Sequence, residues 1–272
     1  MSFPVSIAAL SLFQAALVAL PRYRAPFGWM PRSLWWALVP AASILLVVFG
    51  IEAAPGSADA LTWLALLAVP PLAAFALGWL IHGTAPAWAL LAVPLFALAW
   101  VAQDSLAGET AATLLSGLAC VALGWLLVSV VEARWLRWGI YAMAAIDAAL
   151  VAGELLQGPS GVLSAAAPAD LPRLQVLEFG AARMGFGDAF LAAAVGCLLA
   201  HDRRLQLRGA ALVAILALAF DLLFFALDTL PATVPVAVAL AIVVRRGSVG
   251  VADEGDRVNR HKTGDRQRDP QP

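Results

Sequence analysis

The strongest constraint on this chain is its row of long apolar runs, each closed by charges or by proline and glycine, which fills it from Phe3 to Val244. A helix of roughly 20 apolar residues crosses the ~30 Å hydrocarbon core of a bilayer. Of the 272 residues, 62% are hydrophobic and 13% charged, against roughly half and a quarter in a soluble domain. The fold class these values predict is an all-α polytopic membrane protein. Apolar length and breaks place nine spans, near 3–20, 33–53, 59–81, 85–102, 111–131, 135–153, 175–200, 208–228 and 230–244. Pro70 and Pro71 stand together inside the third span and are expected to kink or break it.

The polar connections sort by charge. Arg22, Arg24 and Arg32 follow the first span, Arg134 and Arg137 separate the fifth from the sixth, Arg203, Arg204 and Arg208 separate the seventh from the eighth, and Arg245 and Arg246 follow the ninth. The opposite connections carry Glu52, Asp59, Asp104, Glu109, Glu154 and Asp170, with Arg173 as their basic residue. Positive-inside bias then predicts an outer N-terminus, a cytoplasmic C-terminus and an odd number of spans. The expected location is the cell membrane. The first run has no basic residue before it and two after it, the reverse of a cleaved signal peptide, and is expected to be retained. The longest outer connection, Leu155 to Leu174, is expected to be a loop. The tail 247–272 is charged, lacks aromatics and is expected to be disordered and cytoplasmic.

Several chemistries are poorly served by this composition. Cys120 and Cys197 lie in apolar runs and read as small core residues. His82, His201 and His261 sit near span ends or in the tail, which gives a metal little to bind. The single lysine, Lys262, lies in the tail, so an intramembrane Schiff base is excluded.

Acids inside spans are the informative exceptions. An Asp at mid-membrane costs roughly 2.5–3.5 kcal/mol on insertion scales and is a functional candidate by default. Asp147, Asp188 and Asp221 fall in the sixth, seventh and eighth expected spans. Each lies about 12 residues, or ~18–20 Å, from the inner end of its run, so the three carboxyls are expected in one layer. Paired carboxylates suit acid–base work on water, because two at close range tend to share one proton. The ionised member takes a proton from water and the protonated member gives one to a carbonyl. The same acids also suit a proton or cation relay. Asp221 by itself has a plainer reading, a bond to a neighbouring serine or backbone group. Glu178 and Arg183 read as a solvated or mutually paired edge.

The order of motifs narrows the choice. Asp147 closes the stretch Tyr141-Ala-Met-Ala-Ala-Ile-Asp147, Gly185-Phe186-Gly187-Asp188 follows it, and Leu230-Pro231-Ala232-Thr233 opens the last span. This order resembles the Gly-x-Gly-Asp intramembrane aspartyl proteases, the presenilin and signal peptide peptidase family with its microbial homologues. That family has nine spans, a Tyr-Asp element in the sixth, Gly-x-Gly-Asp in the seventh and Pro-Ala-Leu in the ninth. The resemblance implies a presenilin-like fold and a metal-free endopeptidase that cuts within single-span helices. It implies that Asp147 and Asp188 are catalytic, that Gly185, Phe186 and Gly187 loosen or support the second Asp, and that Pro231, Ala232 and Thr233 support the site and meet substrate. It also implies one transmembrane domain over 1–246, with 1–132 as N-terminal scaffold and 133–246 as the catalytic spans. No cofactor or nucleic acid is expected, and the expected partners are the bilayer and transmembrane substrate helices. The chain departs from the pattern at Ile146, where the family has Tyr, and at Thr233, where it has Leu. Asp221 is an additional acid, open to an accessory role. Prepilin peptidases share the Gly-x-Gly-Asp label, but place a basic residue soon after it, where this chain has Ala189-Phe190-Leu191. A carrier using the same acids, or a catalytically silent homologue, are the alternatives.

Overall fold

The computed structural model describes residues 2–24, 33–39, 57–81, 85–103, 105–153, 171–225 and 230–245, with a few further positions between 42 and 50. Parts of the expected second span, the outer connection 154–170, the residues Arg32, Glu52, His82, Asp104 and Arg246, and the tail 247–272 lie outside the described residues.

Helices dominate. In chain order they are α1 (Phe3–Ala19), α2 (Ser57–Phe75), α3 (Ala92–Val101), α4 (Leu106–Val130), α5 (Ala133–Ala152), α6 (Phe186–Leu199), α7 (Arg203–Asp221) and α8 (Thr233–Arg245). Among the described residues, four apolar helical stretches are long enough to cross a membrane, at Ala58–Ile81, Leu106–Val130, Ala133–Ala152 and Arg203–Phe224. Four more, at Phe3–Ala19, Pro86–Val101, Phe186–Leu199 and Thr233–Arg245, are shorter. A 3-10 turn, Pro86–Leu91, leads into α3. Helix α2 runs through Pro70 and Pro71 unbroken, and its departure from α geometry comes just beyond, as a π segment over Ala76–Ile81.

Helix ends follow local chemistry. Ser105 caps α4 by accepting from the Gly108 amide at 3.2 Å. Asp202 caps α7 by accepting from the Arg204 and Leu205 amides at 2.9 and 3.2 Å. These caps start both helices several residues before the apolar runs begin, because charged side chains at a helix start do not interrupt its backbone ladder. Helix α1 stops ahead of Pro21, and its last carbonyls are taken from outside. Gln206 donates to Val18 O at 2.9 Å and Pro21 O at 2.8 Å, and Arg203 donates to Ala19 O. Such partners matter in an apolar bundle, where water is not there to take them.

The expected seventh span, 175–200, is not one helix. Its first part is a hairpin of β1 (Val176–Phe179) and β2 (Ala182–Gly185), antiparallel with Val176 opposite Gly185 and Glu178 opposite Arg183. Gly180 turns it at φ 60°, a conformation that glycine adopts without strain and that a two-residue hairpin loop requires. The paired charges meet at 2.9 Å, and Arg173 approaches Glu178 at 3.8 Å.

Neighbouring helices take up the hairpin's backbone. Thr113 and Ser116 donate to the carbonyls of Glu178 and Leu174 at 2.8 and 2.9 Å. Glu109 accepts from the Gly180 amide at 2.7 Å, and Ser6 accepts from the Ala181 amide at 3.2 Å. Non-helical backbone survives among apolar helices only when protein groups satisfy it in this way.

Helix α6 then continues from the hairpin. It packs against α4 and α1 and is buried from Leu191 to Leu199 on every side. Enclosure by other helices is what lets so short a helix sit in the middle of the bundle. The remaining core is a single apolar cluster in which α1 also packs on α7, and α4 on α2 and α3. The outer faces carry large exposed apolar side chains, among them Leu67, Val101, Trp138 and Ile215, which suits contact with lipid tails.

Candidate active site

The two aspartates singled out by the motifs come from separate helices to one place. Asp147 lies on the buried face of α5, three-quarters of the way along the helix. Its Oδ2 accepts from the Thr233 hydroxyl at 2.6 Å, and the Thr233 amide also faces it, so this carboxyl sits at the N-terminus of α8. Asp188 lies in the first turn of α6, not in the middle of a span, and its Oδ2 accepts from the Gly185 amide at 3.2 Å. Each acid is therefore seated at the positive end of a helix dipole, which offsets part of the cost of a negative charge there. Gly187, the neighbour of Asp188, faces Met143, one turn before Asp147 on the same buried face of α5, so the two acids lie on facing stretches of α5 and α6.

The surrounding motif residues have distinct places. A Cβ added to Gly185 would lie 3.0 Å from Asp188 Oδ2, so a side chain there would crowd the carboxyl itself. A Cβ on Gly187 would lie 3.2 Å from the Met143 methyl, and Met143 stands one turn before Asp147 on α5. The second glycine thus marks where α6 comes closest to the Asp147 helix. Phe186 opens α6, is half-buried, and its carbonyl faces the Cys120 thiol at 3.8 Å. Pro231 and Ala232 precede α8 and are half-buried; Pro231 O accepts from the Val234 amide at 3.2 Å. Thr233, where the resembling family has Leu, is buried and spends its hydroxyl on Asp147.

Asp221 ends α7, and its Oδ2 accepts from the Ser11 hydroxyl at 2.8 Å. That is the plainer of the two readings its sequence position allowed. Ser11 stands three residues, ~4.5 Å of helix rise, from Gln14, whose amide reaches the carbonyls of Asp188 and Ala232. Asp221 and Asp188 consequently lie within a turn of one depth along α1. Among the described residues, no group of three or more His, Cys, Asp or Glu side chains is placed to hold a metal ion.

Motif reading missed two sets of residues. One is Gln14, in the helix expected to be scaffold. The other is the stripe Glu109, Thr113, Ser116, Cys120 and Gly124 on α4, spaced three or four residues apart, which follows the chain from the hairpin down α6. A helical period of polar and small residues within an apolar run was the available signal for the second set.

No family model, curated protein or solved structure matches this chain.

Proposed function

We propose that this chain is a metal-independent intramembrane aspartyl endopeptidase of presenilin-like arrangement, cutting peptide bonds within single-span helices through Asp147 and Asp188. One observation carries the reading: two carboxyls from facing stretches of α5 and α6, each seated at a helix N-terminus. A pair of this kind shares one proton. The ionised member accepts a proton from water as the water oxygen bonds to the carbonyl carbon. The protonated member gives its proton to the carbonyl oxygen, which forms a neutral gem-diol. The member that took the proton from water then gives it to the amide nitrogen while the other, now ionised, takes a proton from one gem-diol hydroxyl; the C–N bond breaks, acid and amine leave, and the pair again holds one proton. The amide on Asp188 Oδ2 can only donate, so a proton carried by Asp188 sits on Oδ1. The Thr233 hydroxyl can donate or accept, so it fits Asp147 in either state. The acid and base roles belong to the pair.

The approach to the pair also supports this reading. Strand β2 ends at Gly185, next to Asp188, and the sheet has only two strands among the described residues. A substrate helix must unwind before its backbone can be cut, and an extended segment matches a strand edge by backbone hydrogen bonding. The competing reading as a carrier draws on Asp221 as much as on the pair, yet the hydrogen bond on that carboxyl comes from Ser11 of α1 and not from either member of the pair. On the proposed reading the termini lie outside and in the cytoplasm respectively, with nine spans in all.

The test is cleavage by the purified chain in lipid vesicles containing single-span reporters. Cuts within the span are expected, insensitive to chelators and blocked by a peptide whose scissile bond is replaced by a hydroxyl-bearing carbon. If no reporter in a varied set is cut, or if chelator abolishes cutting, the proposal fails. Thr233 offers a finer check. Thr233→Val removes the hydroxyl without changing the shape and is expected to lower kcat about 10- to 100-fold, the worth of one hydrogen bond to a charged acceptor. Thr233→Ser, which keeps the donor, is expected to stay within about threefold of the parent.

A further inference from the structure

Helix α1 reaches the aspartate pair through one side chain. Gln14 is buried, and its amide nitrogen donates to Ala232 O at 3.0 Å and to Asp188 O at 3.4 Å. Those carbonyls belong to different elements, the lead-in to α8 and the first turn of α6. The residue after Ala232 is Thr233, whose hydroxyl holds Asp147. A short path therefore runs from Asp188 through Gln14 to Ala232 and Thr233, and ends on Asp147. An amide is the side chain suited to the task, since it presents two donors in one plane and carries no charge toward the acids.

We infer that Gln14 is a positioning residue that sets the separation of the Asp147 and Asp188 carboxyls, so that α1 is a working part of the site. The inference rests on the proposed peptidase reading. It predicts that loosening this path spreads the carboxyls and slows the chemical step, with little effect on substrate binding. Proton sharing depends on closeness, so spreading also brings together the two limbs of the pH–rate profile. Of the three acids, Asp188 meets α1 through its backbone carbonyl on Gln14 and Asp221 through Ser11, whereas Asp147 is reached by way of Thr233.

The experiment uses full-length protein in vesicles with a single-span reporter and compares Gln14→Met, Gln14→Asn and Ser11→Ala. Methionine keeps the volume and loses both donors. Asparagine keeps the donors but is one methylene short of spanning both carbonyls. Ser11→Ala removes a comparable bond, to Asp221, one turn away. Expected for Gln14→Met is a fall in kcat of about 10- to 100-fold with KM within about twofold, and an alkaline limb lowered by about one pH unit. Ser11→Ala is expected to match the parent in both. A folded Gln14→Met with parental kcat and unmoved limbs overturns the inference, as does a Ser11→Ala that shows the same kinetic change. If Gln14→Met is not recovered folded, Gln14→Asn is judged by the same criteria. If neither folds, the role is structural and the inference falls. Failure of the peptidase reading looks different: cleavage is absent from the parent, or survives loss of either aspartate.

Discussion

Replacing either Asp147 or Asp188 with Asn is expected to abolish reporter cleavage, by about 10⁴-fold or more, while the protein stays folded. The size follows from the division of labour. Neither acid can both take a proton from water and give one to the carbonyl, so the loss of one removes the whole step. For groups that act as a unit, single losses cost nearly as much as the combined loss. The Asp147→Asn, Asp188→Asn double variant is accordingly expected to be no slower than either single one. The fold is expected to survive because asparagine keeps an oxygen for each donor in place, the Thr233 hydroxyl at position 147 and the Gly185 amide at 188. It also removes the repulsion between two neighbouring acids, so the thermal midpoint should hold or rise. Cleavage rates over several decades, measured with unfolding curves on the same preparations, check both halves. Cleavage retained to within about tenfold in either variant would mean that these carboxyls are not the machinery.

A large stability effect is expected at Gly196, far from the chemistry. A Cβ there would lie 2.6 Å from Val18 O and 2.8 Å from Leu17 O, at the crossing of α6 with α1. These obstacles are backbone atoms, and Gln206 anchors the same place through Val18 O, Pro21 O and Gly196 O. Neither helix can give way without breaking those bonds, so Gly196→Val is expected to cost about 3 kcal/mol or more. Thermal unfolding in detergent should show a midpoint lower by roughly 10 °C, or no folded protein at all. Gly187→Ala is the internal contrast: its Cβ would meet only the mobile methyl end of Met143 at 3.2 Å, and a cost under ~1 kcal/mol is expected. Equal midpoints for the two variants would refute this account of the α1–α6 crossing. Close packing through small residues is the usual route to tight helix association where no water drives it.

Much of the helical plan was legible because apolar length tracks helix length. Expected spans at 3–20, 59–81, 85–102 and 135–153 meet helical segments with nearly the same limits. Where limits moved, as at the starts of α4 and α7, the cause is a cap lying among charged residues that hydropathy counts as loop. The stretch 175–200 misled for a different reason. Hydropathy reports the medium a side chain prefers, and says nothing about which groups will take the backbone's hydrogen bonds. Val176–Gly185 is apolar enough for a span, yet Gly180 and the opposed charges of Glu178 and Arg183 turn it into a hairpin that α1 and α4 enclose.

The candidate site divides in the same way. Asp147, Asp188 and the glycines beside the latter could be named from the order of residues alone, because acids in apolar runs are rare and costly. Sequence also determined that the chain is predominantly helical and apolar, since that depends only on summed side-chain preference. Tertiary structure decided what each polar group touches: Thr233 with Asp147, Ser11 with Asp221, Gln14 with both carbonyls of the site. Those partners lie between 86 and 218 positions apart in the chain. No local period records such pairings, because they arise only when helices distant in sequence are packed together and each buried donor must find an acceptor.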